Sequence, residues 1–412
     1  MALKSEVITV GSEIMSGRTL DTNFRFIARK LSSIGAQVVW HTSVGDEQES
    51  MADVLRIALR RADVVVMTGG LGPTPDDVTR NVVSTVLGRN LLLNDSVLES
   101  IRERYRLRGV HMPSINERQA LFPKGAEIIE NKVGAAPGFL LKSDEKLLFV
   151  LPGVPLEAEV MLEQQVLPKL RGLTSTLGPE QVVLRTVGIA ESVIAERVSF
   201  LDKPLEGAAL SYLPHDYGVD VCLTFKSGEP KHVDLRKKAA VKQVKSILGH
   251  HLYGEGDAKL EEVVGKLLVS KKLKLAVAES VTGGMISELI TSVPGASRYF
   301  VLGVTAYSDE SKREILGVPE QLIGEKGAVS KEVAVEMAKG VMKRGLADVG
   351  ISTTGIAGPG GGSAEKPVGL VFVALAARRK TSAKELQIPG NRALIARRAS
   401  AFALDLLRRH LL

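Results

Sequence analysis

Short apolar runs alternate with amphipathic stretches along most of this chain. Residues 6–10, 37–40 and 64–67 are runs rich in β-branched side chains, the pattern of strands buried within a parallel sheet. Between them, residues 19–34 place Phe24, Ile27 and Leu31 on one helical face. Residues 51–61 do the same with Val54, Leu55 and Ala58. Further strands are expected at 147–151, 182–187, 208–213, 219–225, 273–277, 299–305, 349–352 and 368–376. Further helices are expected at 156–170, 191–200, 232–248, 259–269, 285–290 and 393–407. Such alternation predicts α/β architecture, with parallel or mixed sheets flanked by helices.

The pattern breaks twice. Residues 171–179 and 249–256 are rich in Gly, Ser, Thr and polar residues and read as boundaries. A chain of 412 residues has room for two or three domains, so the expected division is 1–172, 178–253 and 257–412. Hydrophobic residues at 44% and charged residues at 25% suit a soluble globular protein. A single cysteine, Cys222, excludes an intramolecular disulfide framework and suits a reducing cytoplasm, the expected location. Residues 1–10 lack a signal-peptide core, and no apolar run approaches the roughly 18 residues that suggest a membrane span. The net charge of +7 permits anionic ligands. Aromatics at 4% leave few stacking platforms for single-stranded nucleic acid, so a nucleic-acid partner is not expected. His250 and His251 lack partners at metal-ligand spacing, so no zinc site is expected.

Candidate chemistry concentrates in three glycine-rich turns that each follow an expected strand. The first is Thr68-Gly69-Gly70-Leu71-Gly72-Pro73-Thr74-Pro75-Asp76-Asp77, which ends in two carboxylates at a helix start. Glycines let a ligand approach the backbone, and a carboxylate beside a phosphate can hold a hard cation. Asp76 or Asp77 equally suits a plain helix cap. The second is Ala278-Glu279-Ser280-Val281-Thr282-Gly283-Gly284, where Ser280 falls at a strand's carboxyl end and amides near Thr282, Gly283 and Gly284 are expected as oxyanion donors. Ser280 or Thr282 also suits a helix cap. The third is Thr354-Gly355-Ile356-Ala357-Gly358-Pro359. A serine nucleophile requires a base, and no histidine lies between His251 and His410. A neutral lysine can serve, which makes Lys312 the candidate, with Tyr307 five residues earlier. The loop around Asn131 and Lys132 could contact an anionic ligand or be a simple turn.

The first turn resembles the molybdopterin-binding-like (MoaB/MogA-type) domain, and more closely the amino-terminal domain of the CinA family. Gly11-Ser12-Glu13, Asp21-Thr22-Asn23, Val44-Gly45-Asp46-Glu47 and Leu151-Pro152-Gly153-Val154-Pro155 fit that family in order. The resemblance implies a pyrophosphatase of ADP-ribose or a similar diphosphate, dependent on a divalent metal (Mg²⁺, Mn²⁺ or Co²⁺). It suggests Asp46 and Asp77 as functional carboxylates, with Asp76 beside them and Gly69, Gly70, Gly72 and Thr74 at the ligand. The middle segment is similar to a small α+β KH-like connecting domain, though it lacks the G-x-x-G loop of nucleic-acid-binding KH modules. The last segment resembles the carboxyl-terminal CinA domain and thereby nicotinamide-nucleotide amidohydrolases. The motifs are Ala278-Glu279-Ser280 with Thr282-Gly283-Gly284, Tyr307-Ser308-x-Glu310-x-Lys312, Gly327-Ala328-Val329-Ser330, and Gly355 to Pro359 with Glu365-Lys366-Pro367-Val368-Gly369. This resemblance implies deamidation of nicotinamide mononucleotide without a cofactor. Ser280 would be nucleophile, Lys312 base and Tyr307 a proton relay or positioning partner, with Thr282, Gly283, Gly284, Thr354, Gly355, Ala357 and Gly358 around the substrate. A homodimer is also implied.

Two departures from the family pattern bear on activity. Val281 stands where the family usually has Cys, and Asp309 where it often has Asn. A carboxylate near Lys312 favours the charged lysine and weakens it as a base. The rival expectations are a nucleotide- or pterin-binding scaffold with one or both sites inactive, and a scaffold acting in DNA uptake.

Overall fold

The computed structural model describes residues 3–143, 145–174, 180–199, 205, 208–225, 230–378 and 380–412, and of residues 230–234 the backbone alone. Residues 175–179 of the first expected boundary lie outside the described residues. The chain forms two compact units, one ending at Glu180 and one beginning at Gln181.

The first unit is built on β1 (Leu3–Val10), β2 (Ala36–Val44), β3 (Val64–Thr68), a short pair β4 (Leu91–Leu93) and β5 (Leu121–Pro123), then β6 (Glu127–Ile129), β7 (Gly138–Ser143) and β8 (Lys146–Leu151). The main sheet has the order β2-β1-β3-β8-β7-β6. Its first four strands are parallel, and β7 and β6 are antiparallel. Helices α1 (Ser12–Met15), α2 (Thr22–Ser33), α3 (Gln48–Arg61), α4 (Thr79–Val86), α5 (Asp95–Leu107), α6 (Pro155–Met161) and α7 (Leu167–Arg171) complete it. The alternation of β3 sets the layers. Val65 and Met67 pack with Leu55 of α3, whereas Val64 and Val66 pack with Ile27 and Leu31 of α2. Hydrophobic helices therefore cover both faces, as a parallel sheet demands.

Local chemistry sets the boundaries. The α2 helix starts three residues later than its apolar pattern because Asp21 is its cap, accepting from Phe24 N–H at 2.9 Å. The single helix expected at 156–170 is α6 and α7 joined by a π-helical turn at Leu162–Val166, with Pro168, which lacks an N–H, in the next turn.

The second unit contains two sheets. The smaller has the order β10-β11-β9-β12, with β9 (Glu180–Thr186), β10 (Ala209–His215), β11 (Gly218–Phe225) and β12 (Leu252–Glu255). Helices α8 (Glu191–Ser199) and α9 (Pro230–Leu248) cover it through Ile194, Ala240, Val244 and Leu248. The stretch read as the second boundary is thus partly a strand. Its glycines hid β12, which pairs with β9, and Tyr253 is buried in the core of the following segment.

The larger sheet has the order β14-β13-β15-β16-β17, from β13 (Leu275–Glu279), β14 (Phe300–Thr305), β15 (Val349–Gly355), β16 (Leu370–Ala377) and β17 (Lys380–Gln387). Strands β14, β13 and β15 are parallel and the last two antiparallel. Helices α10 (Leu260–Lys271), α11 (Met285–Thr291), α12 (Asp309–Glu314), α13 (Glu320–Lys326), α14 (Lys331–Arg344) and α15 (Arg392–Leu411) surround it. Near its carboxyl end α15 grips the smaller sheet. Buried Arg408, held by Asp405 at 2.7 Å, donates to the carbonyls of Leu252, at 3.0 Å, and of His250. Among the described residues no helix is long and apolar enough to cross a membrane.

Candidate active sites

The chain leaves β1 towards β2 and returns on the other side at β3. At such a reversal the loops after neighbouring strands part, and open α/β sheets bind ligands there. A cleft of about 510 Å³ occupies this position. Gly11 and Glu13 follow β1, Asp46 follows β2, residues 69–72 with Asp76 and Asp77 follow β3, and residues 152–154 with Glu157 follow β8. The glycines keep the walls close. A Cβ on Gly69 would lie 2.2 Å from the Val10 carbonyl oxygen, and one on Gly72 would lie 2.4 Å from Asp77 Oδ2. Gly69 and Gly70 also hold φ of +107° and +65°, which side chains disfavour. Buried Arg80 braces the turn from behind, donating to the Leu71 carbonyl at 2.9 Å. Burial lowers its pKa to about 10, while nearby Asp77 opposes that shift.

The two carboxylates suggested by sequence line the same cleft. Asp46 Oδ2 accepts from Ser12 N–H at 2.9 Å. Asp77 Oδ2 accepts from the Thr74 N–H at 2.8 Å and its hydroxyl at 2.5 Å. Thr74 therefore orients Asp77. Asp76 is exposed at the rim. Asn131 and Lys132 do not line the cleft. Asn131 is buried and spent on its own loop: its Oδ1 accepts from Val133 and Gly134, and its Nδ2 donates to Ala136 and Glu157. Lys132 is exposed. Glu13, quoted in sequence only as part of a motif, and Glu157 were given no role there; each sits in the first turn of a helix, α1 and α6, where a glutamate is ordinary.

Among the described residues no three His, Cys, Asp or Glu side chains converge closely enough to cage a metal. The donor set instead fits a shared hard cation, bound through one or two carboxylates, water and a substrate's phosphate oxygens. Asp46 and Asp77 would be the protein's contribution.

The second site repeats the topology. The chain leaves β13 towards β14 and returns at β15, so Ser280, at the end of β13, stands at this sheet's reversal point. Ser280 is buried, and its N–H donates across that junction to Thr353 O at 3.0 Å. Thr282 and Thr353 hydroxyls meet at 2.8 Å. Thr354 is buried and donates to Ala328 O at 2.9 Å. Ala357 and Gly358 follow Gly355 in the same loop, and Gly358 O accepts from Arg392 Nε at 2.8 Å.

One expectation about donors changes. Glu279, fully buried, accepts from the N–H groups of Gly284 at 3.0 Å, Ile286 at 3.0 Å and Ser287 at 2.8 Å, and from the Ser287 hydroxyl at 2.7 Å. Gly283 N–H donates to Ser280 O at 3.2 Å. The start of α11 is therefore already occupied by a carboxylate, and Gly283 and Gly284 have no N–H to offer. The amides of Val281 and Thr282, immediately after Ser280, are the ones with no partner among the described residues. A charged residue ending an apolar strand was the signal in the sequence for Glu279.

Lys312 and Tyr307 lie beyond the end of β14, the neighbour of β13. Lys312 is 2% exposed. Its Nζ donates to Tyr307 O at 3.1 Å and Ser308 O at 3.4 Å, and stands 3.6 Å from Asp309 Oδ1. Burial lowers its pKa below the usual lysine range, and Asp309 opposes the shift without cancelling it. No hydrogen bond joins Lys312 to Ser280. Tyr307 is 61% exposed, and its hydroxyl accepts from Arg392 Nη1 at 3.1 Å. Sequence reading missed Arg392. Its signal was a cation in the first turn of a helix, where the dipole disfavours positive charge.

Two topological reversals, one opening on a cleft and one beside a buried serine, belong to a multidomain α/β protein. Family models match almost the whole chain: "Probable molybdopterin binding domain" over residues 6–172, "Damage-inducible protein CinA KH domain" over 181–254, and "CinA C-terminal domain" over 257–411. A CinA-like protein of Gemmatimonas aurantiaca is 41% identical over 408 residues, covering 98% of this chain and 95% of its own. A CinA-like protein of Dictyoglomus turgidum is 39% identical over 410 residues, covering all of both chains at 100%. A crystal structure of the protein CinA from Thermoplasma acidophilum is 36% identical, spans 41% of this chain and 98% of its own, and has a TM-score of 0.39. The chain belongs to the CinA family.

Proposed function

We propose that the chain is a bifunctional hydrolase of pyridine-nucleotide salvage: the last segment deamidates nicotinamide mononucleotide to nicotinate mononucleotide, and the first unit hydrolyses ADP-ribose with a divalent metal. The observation that carries the deamidase is a buried hydroxyl, Ser280, followed by two amides unpartnered among the described residues, with a buried lysine, Lys312, in the helix that follows the adjacent strand β14. Neutral Lys312 takes the Ser280 proton as Oγ attacks the carboxamide carbon. The Val281 and Thr282 amides meet the oxyanion that forms. Collapse releases ammonia, which carries away a proton, and leaves an acyl ester on Ser280. Water then cleaves the ester and returns the hydroxyl. Tyr307 and Arg392 would hold the nucleotide's polar groups at the rim.

In the first unit the cleft is lined by Glu13, Asp46, Asp76, Asp77 and Glu157, with no Lys or Arg among the lining residues. A diphosphate would be repelled from that surface unless a cation neutralised it, which supports the metal requirement. When bound, such a cation offsets phosphate charge and acidifies water. Asp46 and Asp77 would hold it, and the glycine turn would let the diphosphate reach the backbone. That no three-ligand cage forms among the described residues favours one alternative for this unit alone, binding without cleavage. Product analysis after incubation with nicotinamide mononucleotide, and with ADP-ribose plus Mg²⁺, Mn²⁺ or Co²⁺, tests both halves. Ammonia release and formation of AMP with ribose 5-phosphate are expected; AMP absent with every metal would leave the first unit as a binding module.

A further inference from the structure

Beside the first cleft lies a second cavity of about 230 Å³ that no role assigned above uses. One face of α5 forms its wall, with Ser96, Ser100 and Arg104 spaced a turn apart and Ile101 between them. Glu130 and Pro137 stand opposite. The volume falls below the roughly 300–1,000 Å³ of pockets that hold a whole small ligand. It suits part of a ligand whose remainder lies elsewhere.

The geometry says where the remainder lies. Ala135 lines both this cavity and the 510 Å³ cleft, with Ala136 on the cleft side and Pro137 on the cavity side, so residues 135–137 are their shared edge. Asn131 fixes that edge from both sides. Its Nδ2 donates to Glu157 of the cleft at 2.7 Å, and its carbonyl accepts from Arg104 of the cavity. The two chambers differ in chemistry. The cleft is lined by carboxylates and suits a metal-bound diphosphate. The cavity is lined by one cation, Arg104, and one anion, Glu130, so its lining carries no net charge to attract a phosphate. The Ser100 hydroxyl can both donate and accept, whereas the Ser96 hydroxyl donates to Asn94 Oδ1 at 2.8 Å and keeps its lone pairs to accept, over an apolar floor. A flat, neutral heterocycle with donors and acceptors on its edge fits these walls.

We propose that this cavity is the nucleobase subsite of the first unit: it takes the purine of a nucleoside diphosphate derivative whose diphosphate lies in the neighbouring cleft. The proposal rests on the diphosphate reading of that cleft, and its test separates the two.

Ser100 is exposed and makes no hydrogen bond among the described residues, so Ser100→Trp plugs the cavity without disturbing the core; Ser100→Leu is a smaller plug should the first variant melt early. Saturation-transfer NMR with adenosine on the full chain reads the subsite alone. Magnetisation should reach the adenine protons in wild type and be lost in the plugged variants. With Mn²⁺ present, KM for ADP-ribose should rise at least tenfold in the same variants, with deamidation unchanged. An adenine signal absent in wild type, or retained in both plugged variants, overturns the subsite. ADP-ribose that is not cleaved while adenosine still binds overturns the diphosphate reading and leaves the subsite standing.

Discussion

Glu279→Gln should unfold the second unit at a markedly lower temperature, although the substitution keeps size and polarity. The Glu279 carboxylate faces donors only. One oxygen accepts from Gly284 and Ile286, both at 3.0 Å, and the other from the N–H and hydroxyl of Ser287. A glutamine retains one oxygen, which can still serve Ser287. Its amide nitrogen then points two hydrogens at the Gly284 and Ile286 N–H groups, donor against donor. Two hydrogen bonds to a charged acceptor are lost, each worth about 1.5–3 kcal/mol. The summed loss is roughly 3–6 kcal/mol before any relaxation. For a cooperative unit of this size each kcal/mol shifts the midpoint by roughly 2–4 °C, so a fall of roughly 6–24 °C is expected. Differential scanning calorimetry of the full chain reads it, with the first unit's transition as the internal control. The same variant should lose deamidase activity below its melting temperature, because the turn that carries Ser280, Val281 and Thr282 is hung from this carboxylate. A midpoint within one degree of wild type would refute the reasoning and place the Glu279 contacts among those that fold without holding the turn.

Asp309→Asn removes the group that opposes the lowered pKa of Lys312, so the acidic limb of kcat/KM for deamidation should move to lower pH. The sign for stability follows from the same shift. The folded chain holds the Lys312 proton less tightly than the unfolded chain, so stability should rise with pH between the two pKa values, and Asp309→Asn should widen that window downward; an unmoved acidic limb, read from a pH–rate profile, would exclude Lys312 as the base. Asp77→Asn keeps an oxygen for Thr74 yet removes the charge, and should cost ADP-ribose cleavage at least the roughly 10–100-fold typical of losing a mere orienting partner of a metal ligand, with deamidation intact. Gly72→Ala puts a methyl 2.4 Å from Asp77 Oδ2 and should displace that carboxylate, weakening Mn²⁺-dependent cleavage; steady-state assays over a metal titration would show unchanged metal dependence if the close approach is unimportant.

The fold was legible where apolar runs are continuous. Strands such as Val64–Thr68, buried along their whole length, announce themselves because every side chain meets a core. The edge strand Lys380–Gln387 did not, because its polar residues face solvent and only pairing with β16 makes it a strand. The helix Lys331–Arg344 was also passed over, its charged residues masking a buried face of Val333, Ala334, Met337 and Val341. Of the residues singled out in the sequence, Asp46 and Asp77 line the first cleft, Ser280 directly follows β13, and Lys312 lies in α12 beyond the neighbouring β14. The sequence could not show which amides remain free. That depends on Glu279 occupying the start of α11, a contact set by three-dimensional register. Arg392 was hidden for a similar reason, since it lies 85 residues from the Tyr307 hydroxyl it reaches.

The central claim is that Ser280 carries the acyl group in an amide hydrolysis. Rapid quench of the full chain with nicotinamide mononucleotide, followed by intact-protein mass spectrometry and ammonia measurement, tests it most directly. Wild type should release ammonia and show an adduct of nicotinate mononucleotide mass, minus water, on the peptide that contains Ser280. Ser280→Ala should bind the nucleotide yet show neither adduct nor ammonia above background. Ammonia release by Ser280→Ala at the wild-type rate would contradict the account.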